Sequence, residues 1–280
     1  MENFSRLILP RRCLWKIKIK PYLYDHHLEG NAVFPAAEAV TELAKVVKKY
    51  FPQASVNNLT NASFPRFLPV PENIAEIAVS VNMEKGDDGG IKASLLSNLK
   101  SKTGHISRIV EHARVQFSSH AENHCAVRPF DCPEKPEGEN INVPAAVIYR
   151  DLVPFGRAYR NICGDLTVSP GGARGYIYGG DAEADDKLLG SSFPFDAVLQ
   201  MASIWAQRYT DVVPFPVGFA QRIIYQKTKK RTKYLGRVVP VAVASQPFVF
   251  NAWIFDQQGA LCEAIQGIRM RDVSGGRMKP

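Results

Sequence analysis

One plan occurs twice along this chain, and it limits the folds available more than any other feature. In the first half, "PAAEAVTELAKVVKKYF", Pro35–Phe51, repeats Ala, Val and Leu at helical spacing. It opens on a proline, whose missing N–H costs nothing in a helix's first turn. An extended segment, "RLILPRRCLWKIKI", precedes this helix. Strand-like runs follow it: "IAEIAVSVNME", then "IKASLLSNLK" after the turn signal "GDDGG", then "ISRIVEHARVQFSS" after "KTG". In the second half, "PFDAVLQMASIWAQRYT", Pro194–Thr210, is again an apolar helix entered through a proline. The runs "FAQRIIYQKT", "YLGRVVPVAVASQ", "PFVFNAWIFD" and "ALCEAIQGIRMRDV" then repeat the strand pattern. Phe34-Pro35 aligns on Phe193-Pro194, but the helices are otherwise dissimilar, so the repeat is one of architecture.

A long helix followed by an antiparallel meander predicts an α+β fold. Both helices are apolar enough to want burial on most sides, as a curved sheet wrapped around each would provide. The expected organisation is a unit at 1–127, a linker at 128–144 and a second unit at 145–280. The linker, "RPFDCPEKPEGENINVP", is rich in Pro, Glu and Asn and poor in aliphatics. Two such units packed side by side would form a pseudo-dimer with its site between them.

Bulk properties exclude several classes. At 280 residues and 45% hydrophobic, the chain can build a sizeable core. No apolar run is long enough to span a bilayer, and the N-terminus lacks a signal-peptide pattern. Five scattered cysteines, Cys13, Cys125, Cys132, Cys163 and Cys262, match neither a zinc pattern nor a disulfide framework. The expectation is a reduced, cytoplasmic protein with no metal site. The net charge of +8 is concentrated in "KTKKRTK", Lys227–Lys233. Such a run is a solvated turn or strand edge, or a face that steers an acidic protein partner. Nucleic-acid binding would need interleaved aromatics or a known motif, and neither is present.

Three residues bear chemistry on the residues alone. Asp196 and Gln200 are four apart, so they share one face of an apolar helix. Desolvation would raise the Asp196 pKa, and Gln200 could hold its carboxyl by a hydrogen bond. Alternatively, Asp196 is a helix N-terminal residue satisfied by free N–H groups. His26, with His27 beside it, precedes Gly30 and the helix start at Pro35-Ala36. Helix-start amides can polarise a carbonyl, and an imidazole nearby could remove the proton next to it. A loop histidine can equally be structural or solvated.

The segment "HHLEGNAVFP" contains His26-x-x-x-Gly30-x-x-x-x-Pro35 and resembles the HxxxGxxxxP motif of polyketide synthase dehydratase domains. "FDAVLQ" is similar to their second motif, an Asp followed four residues later by Gln or His. "LVPFGRAYRNI" resembles their YGPxF element, and "VPFPVGFAQRIIY" the segment that follows their second helix. The elements come in family order over nearly the whole chain. The resemblance implies a double hotdog, with a histidine from one half meeting an aspartate from the other. It implies a 3-hydroxyacyl thioester substrate carried on the phosphopantetheine of an acyl carrier protein, and no bound cofactor. It implies His26 as base, Asp196 held by Gln200 as acid, and Gly30, Pro35, Ala36, Phe155, Gly156 and Tyr159 at the substrate. His27 fits the shorter spacing of the smaller fatty-acid 3-hydroxyacyl dehydratases. Three features depart from the family: Phe155 stands where it has tyrosine, Arg157 where it has proline, and "SSFPFD" where the second motif is often preceded by His-Pro. Lys229, Lys230 and Arg231 become a candidate carrier contact, and other synthase subunits are implied partners of a monomer or homodimer. The same pair could instead shift a double bond or guide a cyclisation, because a fold does not fix a reaction. A chain with an altered YGPxF element could also bind acyl chains without catalysis.

Overall fold

The computed structural model describes residues 11–100, 107–118, 135–183 and 187–280. In chain order the first half contains β1 (Arg11–Lys18), the two-residue strands β2 (His27–Leu28) and β3 (Asn31–Ala32), and helix α1 (Ala36–Tyr50). The strands β4 (Asn58–Ser63), β5 (Glu76–Lys85), β6 (Ile91–Lys100) and β7 (Ser107–Phe117) follow. The second half opens with β8 (Ile141–Pro144) and a short helix α2 (Ala145–Val147) that widens into a π turn at Ile148–Leu152. Then come β9 (Ile162–Ser169), β10 (Gly172–Tyr178), helix α3 (Ser192–Thr210), β11 (Phe215–Ile224), β12 (Lys233–Ala242), β13 (Phe248–Phe255) and β14 (Leu261–Arg271).

Among the described residues, twelve strands form one antiparallel sheet in the order β1-β5-β6-β7-β4-β11-β14-β13-β12-β10-β9-β8. The first five positions come from the first half of the chain and the other seven from the second. The join is β4 against β11, with Phe219 opposite Ala62 and Arg222 opposite Leu59. Helix α1 packs on β5, β6 and β7, helix α3 on β9 to β14, and the two helices touch each other. Residues 128–134 of the expected linker lie outside the described residues. Its last four, Ile141–Pro144, are an edge strand paired with β9 and not linker.

Burial explains the two helices. Val40, Leu43, Ala44, Val46 and Val47 of α1 are buried, while Lys49 on the opposite side is exposed. In α3, every residue from Ser192 to Gln207 except Ser203 is buried, so this helix is enclosed by the core. Each large apolar side chain buried this way contributes about 1.5–3 kcal/mol. Such burial, and not intrinsic propensity, holds a helix rich in Phe, Val and Ile. No helix among the described residues is long and apolar enough to cross a membrane.

Candidate active site

His26 ends a short 3-10 turn, Pro21–Asp25, and is fixed to Val33 twice. The Val33 N–H donates to the His26 carbonyl oxygen at 2.9 Å. The imidazole Nδ1 lies 2.9 Å from the Val33 carbonyl oxygen. A carbonyl only accepts, so Nδ1 carries the proton and Nε2 offers a lone pair. The β2–β3 hairpin brings Val33 back to His26. Its turn residues Glu29 and Gly30 have φ of 48° and 79°, as a two-residue primed turn demands. A Cβ on Gly30 would meet open space, so glycine suits this place through its backbone alone.

Asp196 approaches from the other half. Its Oδ1 lies 3.8 Å from His26 Nε2. Helix α3 starts at Ser192, two residues before the expected proline, which places Asp196 beyond the first-turn amides. The alternative of an N-terminal capping aspartate is therefore ruled out by position. Its partner is Gln200, whose Nε2 donates to Asp196 Oδ2 at 2.7 Å and to the Tyr159 carbonyl at 2.9 Å. The Gln200 amide is oriented in turn by the Tyr149 hydroxyl, which donates to its Oε1 at 3.0 Å. The Ile162 N–H donates to the Tyr149 oxygen at 2.7 Å, closing a buried chain of hydrogen bonds.

The electrostatics follow from burial. Desolvation pushes Asp196 up from its ordinary 3.8 to about 7; nearby Glu38 adds to the rise and the Gln200 bond opposes it. Desolvation likewise pushes His26 down from 6.5 to about 4, although its bond to Val33 opposes the fall. Around neutral pH the pair is thus a neutral imidazole facing a carboxyl poised to hold or release its proton.

A cavity of about 290 Å³ opens onto this pair. His26, His27, Gly30, Ala36, Phe155, Asp196 and Gln200 border it, with Phe34, Leu199 and Val213 among its apolar walls. The first helical bond of α1 runs from Ala39 N–H to the Pro35 carbonyl. The amides of Ala36, Ala37 and Glu38 therefore have no acceptor within the helix. Although both histidines reach the cavity, the contact with Asp196 belongs to His26. The His27 ring stands edge-on to Phe155, at 6.3 Å.

Three expected substrate residues do not border the cavity. Pro35 is the N-cap of α1, one residue before the first helical position. Gly156 is taken up by Asp25, whose carbonyl accepts the Gly156 N–H at 2.8 Å; a Cβ there would come within 2.2 Å of Asp25 Oδ1. The Tyr159 ring is fully buried, packed against His26 at 5.1 Å and Phe193 at 5.3 Å. These three position other groups. Asp25 Oδ2 also accepts the Ala158 N–H at 2.8 Å, and this clip lays Phe155 over His26 with ring centroids 4.4 Å apart. Arg157 begins the 3-10 turn Arg157–Tyr159 after a Gly156 with extended backbone, a place that suits proline and arginine alike.

Lys229, Lys230 and Arg231 lie in the turn between β11 and β12, and none of them borders the cavity. Their run is partly occupied: Lys227 Nζ donates to the Lys187 carbonyl and Arg231 lies 3.9 Å from Asp181. Among the described residues, no cluster of His, Cys, Asp or Glu could hold a metal. Cys13, Cys163 and Cys262 are free thiols, and Cys125 and Cys132 lie outside the described residues.

Sequence reasoning missed Asp25, Glu38, Tyr149 and His112. His112, buried in the cavity wall, has Nε2 2.7 Å from Ser97 Oγ and Nδ1 3.0 Å from the Phe67 carbonyl. Glu38 had a visible signal, a carboxylate inside the apolar run "PAAEAV". Tyr149 had none, because its strand neighbours and Gln200 are distant in sequence.

No family model and no curated protein matches the chain. Solved structures do. The dehydratase domain of the CurK module of the curacin polyketide synthase aligns with TM-score 0.73 at 18% identity, over 98% of this chain and 96% of that one. The chain has the fold of the polyketide synthase dehydratase domains. An N-terminal dehydratase of the difficidin assembly line gives a TM-score of 0.73 at 15% identity, covering 94% and 93% of the two chains. A trans-AT dehydratase domain from Brevibacillus brevis gives 0.71 at 16%, covering 95% of each. The likeness spans both halves of the chain, the first carrying His26 and the second Asp196.

Proposed function

We propose that the protein dehydrates a 3-hydroxyacyl chain, held as a thioester on the phosphopantetheine arm of an acyl carrier protein, to the enoyl thioester. The observation that carries this reading is His26 Nε2 placed 3.8 Å from Asp196 Oδ1, with both residues bordering one largely apolar cavity. At finer grain, we read each half as a hotdog unit, the fold as a double hotdog, and the boundaries as those expected, with β8 assigned to the second unit.

The chemistry needs two groups, because the α proton is a weak acid and hydroxide a poor leaving group. His26 Nε2 removes the proton from the α carbon. The thioester oxygen gains charge and is met by the amides at the start of α1, near Ala36. Asp196 gives its proton to the β-hydroxyl, the C–O bond breaks, and water leaves. The site is then an imidazolium beside a carboxylate. Proton transfer from His26 to Asp196, directly or through a water, restores the starting state, so protons balance over the cycle. Tyr149 and Gln200 keep Oδ1 of Asp196 turned towards His26. No bound cofactor enters these steps. The carrier is the proposed partner, with Lys229, Lys230 and Arg231 its candidate contact.

The test is a mass-spectrometric assay of a 3-hydroxyacyl carrier protein for loss of water, and of the enoyl form for its gain. Wild type is compared with His26→Ala, His27→Ala and Asp196→Asn. Loss of at least 10²-fold is expected for His26→Ala and Asp196→Asn, with His27→Ala retaining most activity. A chain that binds the carrier but neither removes nor adds water would be an acyl-binding module.

A further inference from the structure

Asp196 is not the only carboxyl buried at the meeting of the two helices. Glu38, in the first turn of α1, is 4% exposed and lies between Ala37 and Ala39. Its Oε1 accepts the Ser192 hydroxyl at 2.6 Å and the Tyr22 hydroxyl at 3.2 Å. Ser192 is the first residue of α3, one turn before Asp196 and on the same face. Glu38 therefore joins the start of the helix that follows His26 to the start of the helix that carries Asp196.

The other groups facing Glu38 are few. Glu42 and Lys45, on its own helix, pair with each other at 2.6 Å, and Trp15 donates to Glu42 at 2.7 Å. Their charges largely cancel. Tyr159 packs against Tyr22 with ring centroids 6.2 Å apart, and its buried hydroxyl makes no hydrogen bond. Asp196 is the next titratable group that Glu38 acts on, with His26 3.8 Å beyond it.

Glu38 acts electrostatically on Asp196, and two carboxyls confined in one low-dielectric region do not both ionise, so the question is which of them takes the single negative charge the site can hold. Two observations assign it. Glu38 receives two hydroxyl donors, whereas Asp196 receives one amide donor, and donors stabilise the charged form. Glu38 sits in the first turn of α1, where the helix dipole favours an anion; Asp196 lies past the first turn of α3. Burial raises the Glu38 carboxyl as it raises Asp196, and the Ser192 and Tyr22 hydroxyls oppose that rise, while Lys45 and Glu42 act in opposite directions.

We propose that Glu38 is a positioning residue that sets the charge of the site: its carboxylate, held by Ser192 and Tyr22, carries the negative charge of the buried pair, so that Asp196 keeps its proton. The inference deepens the reading of Asp196 as proton donor and rests on it. Without a charge on Glu38, Asp196 ionises at lower pH and the donor is lost.

The test follows the side-chain carboxyl 13C shifts of Asp196 with pH in wild type, Glu38→Gln and Ser192→Ala, with dehydration rates measured alongside. Glu38→Gln keeps an oxygen to accept from Ser192 and Tyr22 but removes the charge. The Asp196 titration is expected to fall by about one pH unit, and the rate at pH 8 about tenfold, with little change at pH 6. Ser192→Ala moves the titration the same way and carries the test if Glu38→Gln does not fold. An Asp196 titration identical to wild type in a folded variant would overturn the inference. A shifted titration in a protein that dehydrates no substrate would uphold the charge assignment and sink the proposed reaction instead.

Discussion

Between pH 4 and 6.5 the stability of this protein should depend little on the His26–Asp196 pair, and removing either partner should expose a slope of opposite sign. In the unfolded chain over this range, His26 is an imidazolium and Asp196 a carboxylate. In the fold, with His26 lowered to about 4 and Asp196 raised to about 7, both are neutral. Each state of the pair binds one proton, so its contribution to unfolding is flat with pH. In Asp196→Asn only the histidine remains. Its folded pKa is depressed, so the unfolded state binds more protons from pH 4 to 6.5 and stability rises with pH. At about 1.4 kcal/mol per pH unit the gain approaches ~3 kcal/mol. In His26→Gln only the aspartate remains. Its folded pKa is raised, so the native state binds more protons from pH 4 to 7 and stability falls as pH rises, by up to ~4 kcal/mol. Side-chain exposures of 14% and 6% leave little solvent screening to reduce these figures. Urea denaturation at pH 4.5, 5.5, 6.5 and 7.5 measures the slopes. Parallel curves for wild type and both variants would refute the neutral-pair assignment.

Two further perturbations test the groups behind the pair. Tyr149→Phe leaves the Ile162 N–H and Gln200 Oε1 without their buried partner, and should cost about 1–3 kcal/mol by chemical denaturation; a change under about 0.5 kcal/mol would mean that Gln200 is oriented by something else. Gly156→Ala forces a Cβ into the space of Asp25 and should destabilise by about 1–3 kcal/mol. Combined with Asp25→Ala it should cost clearly less than the two single changes added, and strict additivity would contradict the clip.

The helices and most long strands were legible because their apolar residues follow the helical or strand period. Strand β4, "NLTNAS", was not, although it pairs with β11 and joins the two halves. Asn58, Leu59 and Ala62 are buried while Asn61, at φ of 52°, is exposed, so the run has no alternation and little apolar content. Strands β9 and β10 carry no clear sequence signal for a similar reason: Gly164, Gly172 and Gly175 interrupt their apolar residues, and a register shift between Arg174 and Tyr176 breaks the alternation. The start of α3 was misjudged by two residues because a proline fits anywhere in a helix's first turn.

By itself the sequence determined the double plan, the α+β class and the candidates His26, Asp196 and Gln200. These are local facts, written in residue type and short-range spacing. Only the tertiary structure decided which histidine meets Asp196, because adjacent residues of an extended chain point to different sides and the Val33 carbonyl selects one. It also decided that Tyr159, Gly156 and Pro35 do not border the cavity, and that Asp25, Tyr149 and Glu38 hydrogen-bond to groups beside the pair. Their partners are held by contacts between segments far apart in sequence: Asp25 with Ala158, Tyr149 with Gln200, Glu38 with Ser192. Desolvation, which sets both pKa values, exists only once those segments close over the pair.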